Sequence, residues 1–127
     1  MIRYYSSGRT HQSVATASVS AGTVTDLVSV GGPPGLFGIT KSDFESGDIV
    51  VWHTDGVFAG DANLATPAAI AVDTGVDWDP DLNDGGGALV ATGSGGANAI
   101  VNIGKTHVAK AAEDEVVYVL LNSQLGL

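Results

Sequence analysis

The sequence contains no cysteine, which excludes a disulfide framework, a thiolate metal site and a cysteine nucleophile together. Basic residues are scarce: five Lys and Arg stand against 14 Asp and Glu, for a net charge of −9. Aromatics are few as well, at three Phe, three Tyr and two Trp, so the core must be built mainly from Val, Ile, Leu and Ala. No window approaches the roughly 18 consecutive apolar residues of a membrane span. The opening "MIRYYSSGRTHQ" also lacks the apolar stretch of a secretory signal. The expectation is a soluble protein made without a secretory signal. An acid excess of this size repels nucleic acid and anionic membranes, because both are bound by Lys and Arg that displace counterions.

Among 127 residues, 44% are apolar, enough for the chain to fold despite its charge and, at this length, as one domain. Eighteen glycines imply many tight turns. The expected class is all-β with at most one or two short helices, a small β-barrel or β-sandwich. Charge is uneven along the chain. Arg3 and Arg9 give the first 25 residues +2, whereas three Lys against all 14 acids give the remainder −11. Residues 1–20, small and polar with Tyr4 and Tyr5 near the start, read as an extended arm with room for one edge strand. Residues 21–127 read as the β-rich domain.

Within that domain "TVTDLVSV" (23–30) alternates as a strand, and "GGPPG" (31–35) is a break. "LFGITK" and "IVVWHT" follow as strands. Asp55-Gly56 is the dipeptide of a type I′ hairpin before "VFAG", which makes residues 35–60 a small meander. Thr66 as N-cap and Pro67 at the first helical position suggest a short helix over 65–72. "VDWDPDLNDGGG" starts as a strand through Trp78 and ends in a polar loop; "ALVAT", "AIVNI" and "EVVYVLL" supply further strands. The last of these, 115–121, is apolar on both faces, which fits burial between two layers or against another subunit. Val108, Ala112, Val116 and Leu120 also fall at helical spacing, but the Val-Val-Tyr-Val run favours a strand.

Four patterns invite chemistry, and each has a plainer reading. "AIVNIGKT" (99–106) resembles a phosphate loop, yet Ile100, Val101 and Ile103 suit an extended strand rather than a loop whose N–H groups curl inward. Asp79, Asp81 and Asn83 open like a calcium loop, but Asp84 and Val90 stand where that loop needs Gly and a bidentate Glu. The polar loop is the default there, and no metal site is expected. His11, His53 and His107 lack the spacing that sets two imidazoles on one face. No G-x-S-x-G surrounds any serine, and no carboxylate pair is set up for acid and base roles. The chain is expected to be no enzyme and to need no cofactor. Trp52 and Trp78 read first as core or subunit-interface anchors and second as a sugar-stacking pair of a carbohydrate-binding module.

The order of segments nevertheless resembles a known family. "VSVGGPPGLFGITKSDFESGDIVVWHTDGVF", "AAIAVDTGVDWDPD" and "ANAIVNIGKTHVAKAAEDEVVYVLLN" are similar, in order, to segments of the tailed-phage capsid cement (decoration) proteins, small β-rich head proteins sometimes labelled recombinase-like. The similarity covers roughly residues 20–122. Trp78 follows Asp77 where the family has an aromatic, and the glycine loop after it is longer. The resemblance implies a structural virion protein on the outer face of a phage capsid, with the major capsid protein as partner. A homotrimer is the expected assembly, since capsids offer local three-fold sites. Arg3, Tyr4, Tyr5, Arg9 and His11 are the candidate capsid contacts. Trp52, Val117, Tyr118, Val119 and Leu121 are the candidate oligomer interface. A tail-tube or fibre component is the neighbouring alternative.

Overall fold

The computed structural model describes residues 3–4, 10–31 and 35–123, with the side chains of Arg3 and Tyr4 outside that description. Ten strands follow in order: β1 Arg3–Tyr4, β2 Thr10–Val14, β3 Val24–Asp26, β4 Phe37–Ile39, β5 Ile49–His53, β6 Val57–Asp61, β7 Gly75–Asp79, β8 Ala88–Ala91, β9 Ile100–Thr106 and β10 Val116–Leu121. They form a six-stranded sheet, β1-β6-β10-β9-β7-β8, and a four-stranded sheet, β2-β5-β4-β3. Every pairing within the two sheets is antiparallel. The two sheets enclose a common core, so the expected all-β class takes the form of an open sandwich. No helix among the described residues is long and apolar enough to cross a membrane.

The main core lies between the sheets. Val24, Phe37 and Ile39 of the smaller sheet meet Phe58, Val76, Trp78, Leu89, Ile103, Val117, Val119 and Leu121 of the larger. These positions follow the two-residue period of their strands, which is why one face of each is dry. A second, smaller cluster, Ala15, Leu27, Val50 and Trp52, covers the opposite face of the four-stranded sheet. Gly38 makes this layering fit: a Cβ there would stand 2.8 Å from Leu27 Cδ2 and 2.9 Å from Trp52 Cβ.

Several local expectations fail for identifiable reasons. The strand over 23–30 stops at Asp26, whose carboxylate accepts the Val28 N–H at 3.2 Å and caps a 3-10 turn over Leu27–Val30. Asp55-Gly56 does not close a hairpin. Only Gly56 of the two has positive φ, at 107°, whereas type I′ needs both, and the turn carries the chain from β5 in one sheet to β6 in the other. The meander over 35–60 is therefore split between layers. No helix forms over 65–72. Ala65 N–H donates to Asn63 Oδ1 and Leu64 N–H to Asn83 Oδ1, while Ile70 makes an isolated bridge to Lys110, so side chains and the Lys110 backbone take bonds a helix would need.

β10 is a strand, as its Val-rich run suggests, and its two faces differ. Val117, Val119 and Leu121 enter the core, whereas Val116, Tyr118 and Leu120 are half-buried on the outer face. β9 spans the Gly-Lys-Thr segment as extended chain. It is interrupted by a bulge opposite β7, between Val76 and Trp78, where Asn102 adopts φ 57°.

Candidate functional site

The buried polar groups are the first place to look for chemistry, and Asp77, Asp79, Lys110 and Asn122 prove to be committed mainly to backbone groups. Asp77 lies on the outward face of β7. Its Oδ1 accepts the Thr92 hydroxyl at 2.9 Å and the Asn102 N–H at 2.7 Å, and its Oδ2 accepts the Gly93 N–H at 3.1 Å. Asp79, two residues on and on the same face, accepts the N–H groups of Asp81 at 3.0 Å and Gly96 at 2.7 Å. The two carboxylates thus hold the glycine-rich loop 92–99 down over β7 and β8 and pin the β9 bulge. An ionised carboxylate so supplied with donors is a stable buried anchor.

The would-be calcium ligands diverge. Asp79 turns to the loop, Asp81 accepts from Asn98 Nδ2 at 2.8 Å, and Asn83 Nδ2 donates to the carbonyls of Ala62 and Gly87 at 2.7 and 3.2 Å. Among the described residues no group of three or more His, Asp or Glu is placed to hold a metal ion. Lys110 is buried with its ammonium donating to three carbonyls, Ala68 at 2.7 Å, Ala111 at 3.0 Å and Ala112 at 3.2 Å. That uses all three of its N–H donors and clamps the 62–70 segment against the sheet. A cavity of about 220 Å³ lies beside this clamp, between β8 and the same segment, walled largely by Ala62, Ala68, Ile70, Leu89 and Ala91. It is smaller than the roughly 300–1,000 Å³ of ordinary ligand pockets.

Asn122 joins the two layers. Its Oδ1 accepts the Phe37 N–H at 2.9 Å, and its Nδ2 donates to the Phe37 carbonyl at 3.0 Å and to the Thr54 carbonyl. One side chain at the end of β10 therefore fixes the edge of β4 and the exit of β5.

The candidate contact residues scatter. Arg3 and Tyr4 form β1, opposite Ala59 and Phe58 of β6. Tyr5 and Arg9 lie outside the described residues. His11 sits in β2 opposite Trp52 of β5. Trp52 is 1% exposed and its indole N–H donates to Ser13 Oγ at 2.9 Å, while Trp78, 4% exposed, lies in the other core with Gly87 against its ring. Neither ring has a free face, which removes the sugar-stacking reading. Of the five oligomer-interface candidates, Trp52, Val117, Val119 and Leu121 are buried within the chain, and Tyr118 is half-buried on the outer face of β10.

Sequence reasoning missed Asp77, Asp79, Lys110 and Asn122 as structural anchors, because each has at least one partner 17 or more residues away along the chain. It also missed an exposed apolar pair, Val14 and Ile49, which stand opposite each other across β2 and β5. His53, between Thr10 and Ile39 in register, has its pKa lowered from the ordinary histidine value, first by burial and then by the Lys41 charge.

The described surface is thus a set of strand faces, strand edges and acidic turns. A family model described as phage cement protein matches residues 6–121. No curated protein and no solved structure matches the chain.

Proposed function

Because the chain belongs to the phage cement protein family, a family of phage structural proteins, we propose that it binds the outer face of a phage capsid and reinforces the shell. The match over residues 6–121 carries this reading. The fold suits it: two sheets share one dry core, buried carboxylates fasten the glycine-rich loop 92–99, and Asn122 ties layer to layer. A stiff body of this kind transmits load between neighbouring coat subunits without a moving part.

The partner is the major capsid protein, and the molecule resides in the virion after synthesis in the host cytoplasm. Arg3, Tyr4, Tyr5, Arg9 and His11 contact the coat; they carry the cationic end of a chain that is otherwise acidic. Copies assemble as homotrimers at local three-fold positions. Tyr118, with Val116 and Leu120 beside it, offers the half-buried apolar face, and Trp52, Val117, Val119 and Leu121 shape the strands beneath. Each contact is weak and the many copies on one shell give the avidity.

Co-sedimentation with empty shells tests the proposal. The full chain pellets with shells, and removal of residues 1–9, which leaves β2 whole, lowers the bound fraction at least tenfold. Undiminished binding of the truncated chain refutes the role of the leading residues; a full chain that stays in the supernatant refutes attachment to the shell.

A further inference from the structure

β2 is an edge strand: it pairs with β5 along one side, and no described strand pairs with the other. Edges in monomeric proteins are normally guarded by a lysine, a proline, a bulge or a covering loop. Thr10, His11, Gln12, Ser13 and Val14 bring neither charge nor proline, and their register with β5 runs unbroken over all five pairs. Thr10, Gln12 and Val14 share an exposed face. Val14 and the Ile49 opposite it are 61% and 64% exposed, an apolar step at the end of an uncharged ladder.

We propose that β2 is a two-fold self-association strand, pairing antiparallel with β2 of a second copy so that two four-stranded sheets become one of eight. Charge selects both the occupant and its orientation. The acidic turn with Asp43, Glu45 and Asp48 sits at the Val14 end, since Ala15 N–H donates to the Asp48 carbonyl and Gly47 N–H to the Ala15 carbonyl. In an antiparallel register centred on Gln12, Val14 of each copy faces Thr10 of the other. The two acidic turns then lie at opposite ends of the shared ladder, about 17 Å apart for a five-residue strand. That is about two Debye lengths at physiological salt, so their repulsion is largely screened. A parallel pairing would bring the turns side by side.

The seam itself carries no formal charge at pH 7, so the repulsion between two bodies of net charge −9 acts across a distance and is screened by salt. A two-fold contact closes on itself and consumes the edge, which prevents runaway stacking. A five-residue ladder buries well under the roughly 1,200 Å² of a stable complex. The dimer is therefore weak and forms where copies are concentrated. This contact is distinct from the three-fold association, and of the residues assigned to the shell it shares His11 alone.

The absence of native cysteine makes the test clean. Gln12→Cys sets two thiols across the two-fold, with Cα atoms about 4.5–5.5 Å apart, inside disulfide range. Ser46→Cys, in the exposed acidic turn, is the control. With oxidised glutathione at equal protein concentration, Gln12→Cys is expected to form covalent dimer at least tenfold faster than Ser46→Cys. A mixture of Thr10→Cys and Val14→Cys chains is expected to give mainly the mixed dimer. In the cysteine-free chain, Gln12→Lys, which sets two cations face to face at an exposed position, is expected to lower the concentration-dependent mass in sedimentation equilibrium with its circular dichroism unchanged. Equal cross-linking rates at 12 and 46 would overturn the seam, and preferential Thr10 homodimers would overturn its direction.

Discussion

The two sheets are held by different means. The six-stranded sheet has polar anchors along its outer face and rim, with Asp77 and Asp79 fastening the loop 92–99 and Lys110 clamping the 62–70 segment. The four-stranded sheet packs on a compact apolar cluster, Ala15, Leu27, Val50 and Trp52, with the Trp52-to-Ser13 bond, carboxylates capping its turns at Asp26, Asp43 and Asp48, and the Asn122 tie from its neighbour. Its β2 edge is uncharged, and among the described residues its histidine His53 has a lowered pKa. The contrast teaches that buried side chains fasten loops mainly on the larger sheet, while apolar packing dominates beneath the smaller one. Among the described residues, the smaller sheet has the uncharged edge strand β2.

The largest effect should come from breaking what the sheets share. Phe58→Ala empties a fully buried site in the common core and is expected to cost about 3–5 kcal/mol. Both sheets should lose hydrogen-exchange protection together; loss in one sheet alone would show that the layers are not one cooperative unit. Asn122→Ala cuts the tie and leaves Phe37 N–H, Phe37 C=O and Thr54 C=O short of a partner. The expected cost is about 3 kcal/mol, toward the upper end for an orphaned buried group. Protection should fall first in β4 and β5, and an equal fall in β7 and β9 would contradict the division between layers.

Gly38→Ala is a narrower strike at the smaller sheet, because the new methyl meets Leu27 and Trp52. Overpacking there is expected to cost about 2 kcal/mol, with a lowered urea midpoint and a red-shifted Trp52 emission; an unchanged midpoint would mean the second cluster has slack. The smallest effect concerns protons. The folded state holds His53 below its ordinary pKa, so the unfolded chain takes up the proton first as pH falls. Its contribution to stability is complete above about 6.5 and declines as pH drops below that toward the folded value. Relative to His53→Gln, the wild-type melting temperature should fall between pH 7 and 5; parallel melting curves would show that His53 is not the sensor.

Strand existence was legible wherever one face had to be dry. The Val-Val-Tyr-Val run of β10 and the Ile-Val-Val-Trp run of β5 declare themselves by period and β-branching. What the sequence did not disclose is which sheet each strand joins. Asp55-Gly56 announces a turn, but a turn residue says nothing about whether the next strand pairs with the last one. Asp77 looked like a departure from an aromatic pattern, and only the folded chain shows that its carboxylate meets donors 15 to 25 residues downstream. The helix suggested over 65–72 does not form because Asn63 takes the Ala65 N–H and the Lys110 backbone pairs with Ile70, partners outside the window in which caps are judged. The neutral character of β2 was visible in the arm's lack of acids; its open edge was not, because openness depends on what the other strands leave uncovered.

The central claim, that this phage structural protein works by reinforcing a shell, is tested most directly by calorimetry of empty shells with and without saturating purified protein. The account predicts a shell transition shifted upward by several degrees in proportion to bound copies. A shell transition unmoved at demonstrated saturation would contradict it.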